Sequence, residues 1–152
     1  MRSCTAADDV RATLLDAGPI IGLVYHPDPH SRSCVEAVRA SAAAGRRICT
    51  TWEAVGEAYT VIRTRVAASQ PPRALSVLRW AWESGVTVLG TRDEDHERAG
   101  QLLTQNADLR LSYFDGLLMA VAEARKVSEI ITVDGDHLPA VHLAHHVPVT
   151  VV

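Results

Sequence analysis

Short apolar runs alternate with longer stretches of helical period along the chain. Thr13-Leu14-Leu15 reads as a short strand that stops at Asp16. Ala17-Gly18-Pro19 then opens an apolar helix running to Tyr25, and His26-Pro27-Asp28-Pro29 breaks it. Residues 31–44 read as a helix with Val35 and Val38 as its apolar points and Gly45 as its stop. Ile48-Cys49-Thr50-Thr51 is a second strand, 52–68 a long helix, and Gln70-Pro71-Pro72 the start of another that ends at Ser84-Gly85. A third strand falls at 86–89, and a charged, solvent-facing helix at 92–106. The segment 113–126 is an almost wholly apolar helix, hence a buried one. A fourth strand at 130–133 leads directly to Asp134, and 147–152 supplies a last strand. Strands separated by helices predict an α/β domain around a mostly parallel sheet. The pattern contains no internal repeat and no low-complexity tract.

Composition narrows the class. A chain of 152 residues is one domain, long enough to fold without disulfide or metal staples. Its 47% hydrophobic and 22% charged residues are those of a globular protein. Net charge is −3, which disfavours a broad electrostatic grip on nucleic acid. Of 15 basic residues only Lys126 is lysine, a bias that suits bidentate phosphate contacts and equally reflects a GC-rich genome. Cys4, Cys34 and Cys49 form no CxxC pair and no even framework, as expected in a reducing cytosol. The N-terminal segment has Asp8, Asp9 and two arginines but no apolar core, so no signal peptide is expected. No stretch approaches the ~18 apolar residues of a membrane span. The expectation is a soluble, cytoplasmic protein without membrane contact.

Candidate chemistry lies in the acids. Asp16 and Asp134 follow apolar strands, and open parallel sheets bind ligands just beyond the carboxyl ends of their strands. Glu57 lies early in the helix after the second strand, and Asp115 in the first turn of the apolar helix. A parallel sheet lets all four converge. Each also has a plain structural reading. Asp16 caps a helix, Asp115 completes a capping box with Ser112, Asp134 belongs to the turn Asp134-Gly135-Asp136, and Glu57 is a solvated helix residue. Gathered in one cleft, however, the acids repel each other unless a cation sits among them. Hard oxygen donors in an open cluster suit Mg²⁺ or Mn²⁺ and metal-assisted attack of water on a phosphodiester.

Helical angles separate Glu57 from its neighbour Glu53. With Trp52 at zero and about 100° per residue, the apolar side chains fall at roughly 180° to 340°. Glu57 falls near ~140°, at the margin of that arc, and Glu53 near ~100°, on the polar side. Glu53 is therefore expected to be solvated.

Four segments in register resemble the PIN-domain ribonucleases, especially VapC-type toxins of toxin–antitoxin pairs. They are Leu14-Leu15-Asp16-Ala17-Gly18-Pro19-Ile20, Thr50-Thr51-Trp52-Glu53-Ala54-Val55-Gly56-Glu57, Leu111-Ser112-Tyr113-Phe114-Asp115 with Leu118-Met119-Ala120, and Ile131-Thr132-Val133-Asp134-Gly135-Asp136-His137. The resemblance implies a single PIN-like α/β domain, with residues 1–12 as an N-terminal extension. It places the acidic metal site on Asp16, Glu57, Asp115 and Asp134, with Ser112, Thr132 and Asp136 as outer-shell candidates. It further implies one or two Mg²⁺ or Mn²⁺ ions, an RNA substrate, a cognate antitoxin and a homodimer. Two readings stand beside the toxin: a nuclease of the same fold that processes RNA without an antitoxin, and a catalytically idle binding domain.

Other features are weaker. His142, His145 and His146 form an HxxHH cluster near His137, which a helix would turn into a zinc site; Pro139 and Pro148 bracket it and favour a surface loop. Trp80 and Trp82 point to different faces of one helix, so at least one is expected to reach the surface. Arg63, Arg65, Arg73 and Arg79 lie on adjacent helices within reach of RNA phosphates or simply solvated. Asp93, Glu94, Asp95 and Glu97 suit the dipole at a helix start. No glycine-rich phosphate loop, no GxSxG and no paired Cys/His arrangement is present.

Overall fold

The computed structural model describes residues 11–66 and 71–152. Five strands form one sheet: β1 (Ala12–Leu15), β2 (Arg47–Thr51), β3 (Thr87–Leu89), β4 (Glu129–Thr132) and β5 (Val149–Val151). The order is β3-β2-β1-β4-β5, and every pairing is parallel. The helices are α1 (Ala17–Val24), α2 (Ser31–Ala43), α3 (Trp52–Val61), α4 (Pro71–Glu83), α5 (Asp93–Gln105) and α6 (Tyr113–Ala124). This is the predicted α/β architecture, with the first strand in the middle. The expected extension lies outside the described residues apart from Arg11 and Ala12.

The strands read as continuous apolar runs because both faces of the sheet are covered. Alternate side chains point to opposite sides. Leu14 and Ile130 face one core with Leu102, Leu117 and Met119 of α5 and α6. Leu15 and Ile131 face the other, with Ile20, Ala58 and Val77 of α1, α3 and α4. Two glycines let backbones approach. A Cβ at Gly18 would lie 2.3 Å from Val133 Cγ2, and one at Gly116 would lie 2.9 Å from Leu103 Cγ. The first contact seats α1 on the end of β4; the second seats α6 on α5.

Four expectations are corrected. The helix predicted over 52–68 is α-helical only to Val61, and Ile62–Val66 is a π-helical turn. Residues 67–70 lie outside the described ones. Residues 60–66 are rich in β-branched side chains, and the Thr60 and Thr64 hydroxyls donate to the carbonyls of Gly56 and Thr60, a bonding pattern that loosens a helix. The fourth strand ends at Thr132, so Val133 intervenes before Asp134. The helix expected to face solvent, α5, buries Asp95, Ala99 and Leu102. The helix expected to be buried throughout, α6, leaves Tyr113 and Phe114 exposed at 46% and 43%. Trp82, at 69%, is the tryptophan that reaches the surface. No helix among the described residues is long and apolar enough to cross a membrane.

Candidate acidic site at the sheet's carboxyl edge

Asp16 leaves β1 in extended conformation and caps α1, its Oδ1 accepting the Ala17 amide at 2.7 Å. Its Oδ2 accepts the Thr132 hydroxyl at 2.8 Å. That hydroxyl, fully buried at the end of β4, also accepts the Asp134 amide at 3.0 Å. Thr132 therefore ties together the two acids that follow neighbouring strands. Asp134 in turn uses Oδ1 to accept the Asp136 and His137 amides at 2.9 and 3.0 Å. Its Oδ2 lies 3.3 Å from His137 Nδ1. The Asp136 carboxylate itself sits on an exposed residue.

Asp115 and Ser112 make the capping box that their spacing suggests. Asp115 Oδ2 accepts the Ser112 amide at 2.7 Å, and Ser112 Oγ accepts the Asp115 amide at 3.1 Å. Glu57 lies half-buried on α3. The capping and turn roles of Asp16, Asp115 and Asp134 thus hold, and a carboxylate so engaged keeps lone pairs for further partners.

Electrostatics couple the acids pairwise, Asp16 to Asp115 and Asp134, and Glu57 to Asp16 and Asp115. Burial pushes the Asp16 carboxyl up, against the hydrogen bonds from Thr132 and Ala17, and the charges of Asp115 and Asp134 push it further. Burial likewise raises Glu57, to about 7, helped by the charges of Asp16 and Asp115. For Asp134 burial also acts upward, but the His137 and Asp136 amides and the His137 ring together hold it below the ordinary carboxylate value. Among the described residues no three His, Cys, Asp or Glu side chains stand close enough to hold an ion as they are. The fit to a hard divalent cation is one of charge and donor type: oxygen donors only, and mutual repulsion that a cation would relieve.

Two sequence readings change here, those of Glu53 and Asp95, and the loop reading of the histidine-rich segment holds. Glu53 is not solvated: it is half-buried, its Oε1 accepts the Thr91 hydroxyl at 2.8 Å, and its shielded Oε2 has no hydrogen-bond partner. Thr91 follows β3, and helical angles within α3 carry no signal of a loop arriving from there. Asp95 does more than meet a helix dipole: it is buried and paired with buried Arg125 at 3.0 Å. The histidine-rich segment forms no helix from 141 to 148, so His142 and His146 do not share a helical face.

The PIN domain family model matches residues 13–142. Among solved structures, the sarcin–ricin loop cleaving toxin VapC20 of Mycobacterium tuberculosis superposes with a TM-score of 0.70 at 16% identity, over 82% of this chain and 92% of that one. VapBC2 of Rickettsia felis, bound to a promoter DNA fragment, gives 0.68 at 14% identity, over 91% and 97%. VapBC-5 of Mycobacterium tuberculosis, a toxin–antitoxin system, gives 0.62 at 19% identity, over 93% and 99%. No curated protein matches the chain. The family model spans all four acidic motifs and most of the sequence, and the chain is a member of the PIN-domain family.

Proposed function

We propose that this protein is a Mg²⁺- or Mn²⁺-dependent endoribonuclease and the toxin of a toxin–antitoxin pair. The observation that carries the reading is the charge coupling at the carboxyl edge of the sheet, of Asp16 to Asp115 and Asp134 and of Glu57 to Asp16 and Asp115, which adds to burial in raising Asp16 and Glu57. These four side chains would hold the ion. When bound, a divalent cation supplies a Lewis acid for the scissile phosphate and acidifies an attacking water. The chain's own residues supply position. Thr132 holds Asp16 and the Asp134 backbone in register, the Ser112 cap orients Asp115, and the Asp136 and His137 amides orient Asp134. Glu57, raised to about 7, would give up its proton where a bound cation favours the carboxylate. Likeness to the sarcin–ricin loop cleaving toxin VapC20 supports an RNA substrate, likeness to the toxin–antitoxin system VapBC-5 supports a cognate antitoxin, and the homodimer is what the family resemblance implies.

Purified protein should cleave single-stranded RNA with Mn²⁺ and stop when chelator is added. Mn²⁺ should also raise the melting temperature of the wild type, since a ligand that binds only the folded state stabilises it. Asp16→Asn should lose most of both effects while remaining folded. Cleavage that survives chelator, or an unaltered Asp16→Asn, overturns the metal mechanism. Expression in a host should slow growth, and Asp16→Asn should relieve it; normal growth with soluble wild type removes the toxin role and leaves the nuclease role standing.

A further inference from the structure

Just ahead of Asp115, α6 opens with two aromatic rings held out to solvent. Tyr113 and Phe114 are 46% and 43% exposed, with ring centroids 6.2 Å apart. They immediately precede Asp115, and one Cα step is about 3.8 Å. Tyr113 is not left to rotate. Its hydroxyl is hydrogen-bonded to His96 Nδ1, and the two rings stack with centroids 6.1 Å apart and planes 22° apart. His96 Nε2 lies 3.1 Å from Thr91 Oγ1, and Thr91 donates its only hydroxyl proton to Glu53 Oε1 at 2.8 Å. The direction of the chain follows. Thr91 accepts from His96 Nε2–H, and in that tautomer of the imidazole Nδ1 accepts from the Tyr113 hydroxyl. Tyr113, His96, Thr91 and Glu53 come from α6, α5, the segment after β3, and α3, and they form one donor-to-acceptor line ending on a carboxylate. A solvent-exposed tyrosine needs no such line to satisfy its hydroxyl, because water does that. What the line supplies is a fixed ring.

We propose that Tyr113 and Phe114 form a stacking platform for an unpaired base of the RNA next to the cleaved phosphate, and that His96 is a positioning residue for Tyr113. The inference rests on the ribonuclease reading and names how its substrate is selected. The chain carries a net charge of −3 and an acidic cleft, so phosphate attraction away from the bound cation is a poor source of affinity. Base–aromatic stacking needs no charge and tolerates any base. It requires an unpaired base, so the platform selects single-stranded or looped RNA over duplex.

The test uses steady-state cleavage with Mn²⁺ of a single-stranded RNA carrying 2-aminopurine, whose fluorescence falls on stacking, and of the same RNA in a duplex. Tyr113→Leu and Phe114→Leu should each raise KM about 5- to 100-fold, the range that losing one stacked base predicts, with kcat little changed and the quench reduced. Tyr113→Trp should restore both. His96→Ala should give a smaller KM rise and a partial loss of quench, and should add nothing in a Tyr113→Leu background. Wild-type KM and quench in both leucine variants would overturn the platform. If those variants instead change sedimentation while cleaving normally, the rings belong to a protein interface and the proposal fails. If the wild type cleaves neither RNA with Mn²⁺ or Mg²⁺, the ribonuclease reading itself has failed and takes the platform with it. Melting curves, unchanged in an exposed-ring variant, separate these results from misfolding.

Discussion

Thr132 has one proton and gives it to Asp16, while its oxygen receives the amide that leads to Asp134. Thr132→Val keeps the shape and removes both bonds. Its expected cost is about 1–3 kcal/mol, because a carboxylate oxygen and an amide, both partly buried, lose their partner. The hydrogen bond from Thr132 acts to lower the Asp16 carboxyl, so its loss raises that group further. Cleavage should fall about 10- to 100-fold at neutral pH, and the acid limb of the pH–rate profile should move upward, with Thr132→Ser close to wild type. An unmoved acid limb would show that Thr132 acts on folding alone. Residue by residue, the sequence shows some of this and hides the rest. Asp16, Asp115 and Asp134 stand at element boundaries, which are visible as pattern changes. Glu57 stands at the edge of a helical stripe, and angles find it. Glu53 is hidden because its partner, Thr91, lies 38 residues away and arrives through the fold.

At the scale of elements, α5 and α6 meet through a buried ion pair and a glycine. Arg125 donates to Asp95 at 3.0 and 3.3 Å, and both side chains are under one-tenth exposed. Removing one partner leaves a buried charge unpaired. Arg125→Met should destabilise by about 3–5 kcal/mol, and Asp95→Leu joined to it should restore a large part of the loss. Chemical denaturation of the two single variants and the double variant checks this, and purely additive losses would show that the pair is not coupled. Neither residue announces the pairing. Asp95 sits among acids that look like a helix start, and Arg125 lies near the end of α6, where a cation suits the dipole. The same limit explains the π-helical turn after Val61, which a helical period does not reveal. What the elements do show is order: apolar runs of strand length, helices between them, and hence a parallel sheet.

For the whole molecule the acids set the response to pH. Glu57 is raised from 4.5 to about 7, so between those values the folded protein binds more protons than the unfolded chain. The stability it contributes is complete below about 4.5 and is lost as pH rises through about 7. Asp16, also raised, acts in the same sense. Asp134, lowered from 3.8, acts oppositely: its contribution is present above that value and is lost as pH falls through its folded-state value. Metal-free protein should therefore melt lower at pH 7.5 than at pH 5. Saturating Mn²⁺ should weaken or reverse that slope, and Glu57→Gln should flatten it in chelator by roughly 2–4 °C, the shift about 1 kcal/mol makes in a domain this size. A pH series of melting curves with chelator and with Mn²⁺ reads all three, and an equal slope in Glu57→Gln would remove Glu57 from the account.

The sheet is built from its middle outward, with the first strand, β1, between β2 and β4. Asp16 at its end meets Thr132 only after 116 further residues have been added. At a synthesis rate of about 5–20 residues per second, roughly 6–23 s separate the two. Throughout that interval β1 has no neighbour on the β4 side, and Asp16 lacks the hydroxyl that seats it. Asp115 is still to come for most of it, and Asp134 for all of it. The topology is therefore a timer: a ribosome translating this chain holds an unfinished set of acids until residue 134 has been added.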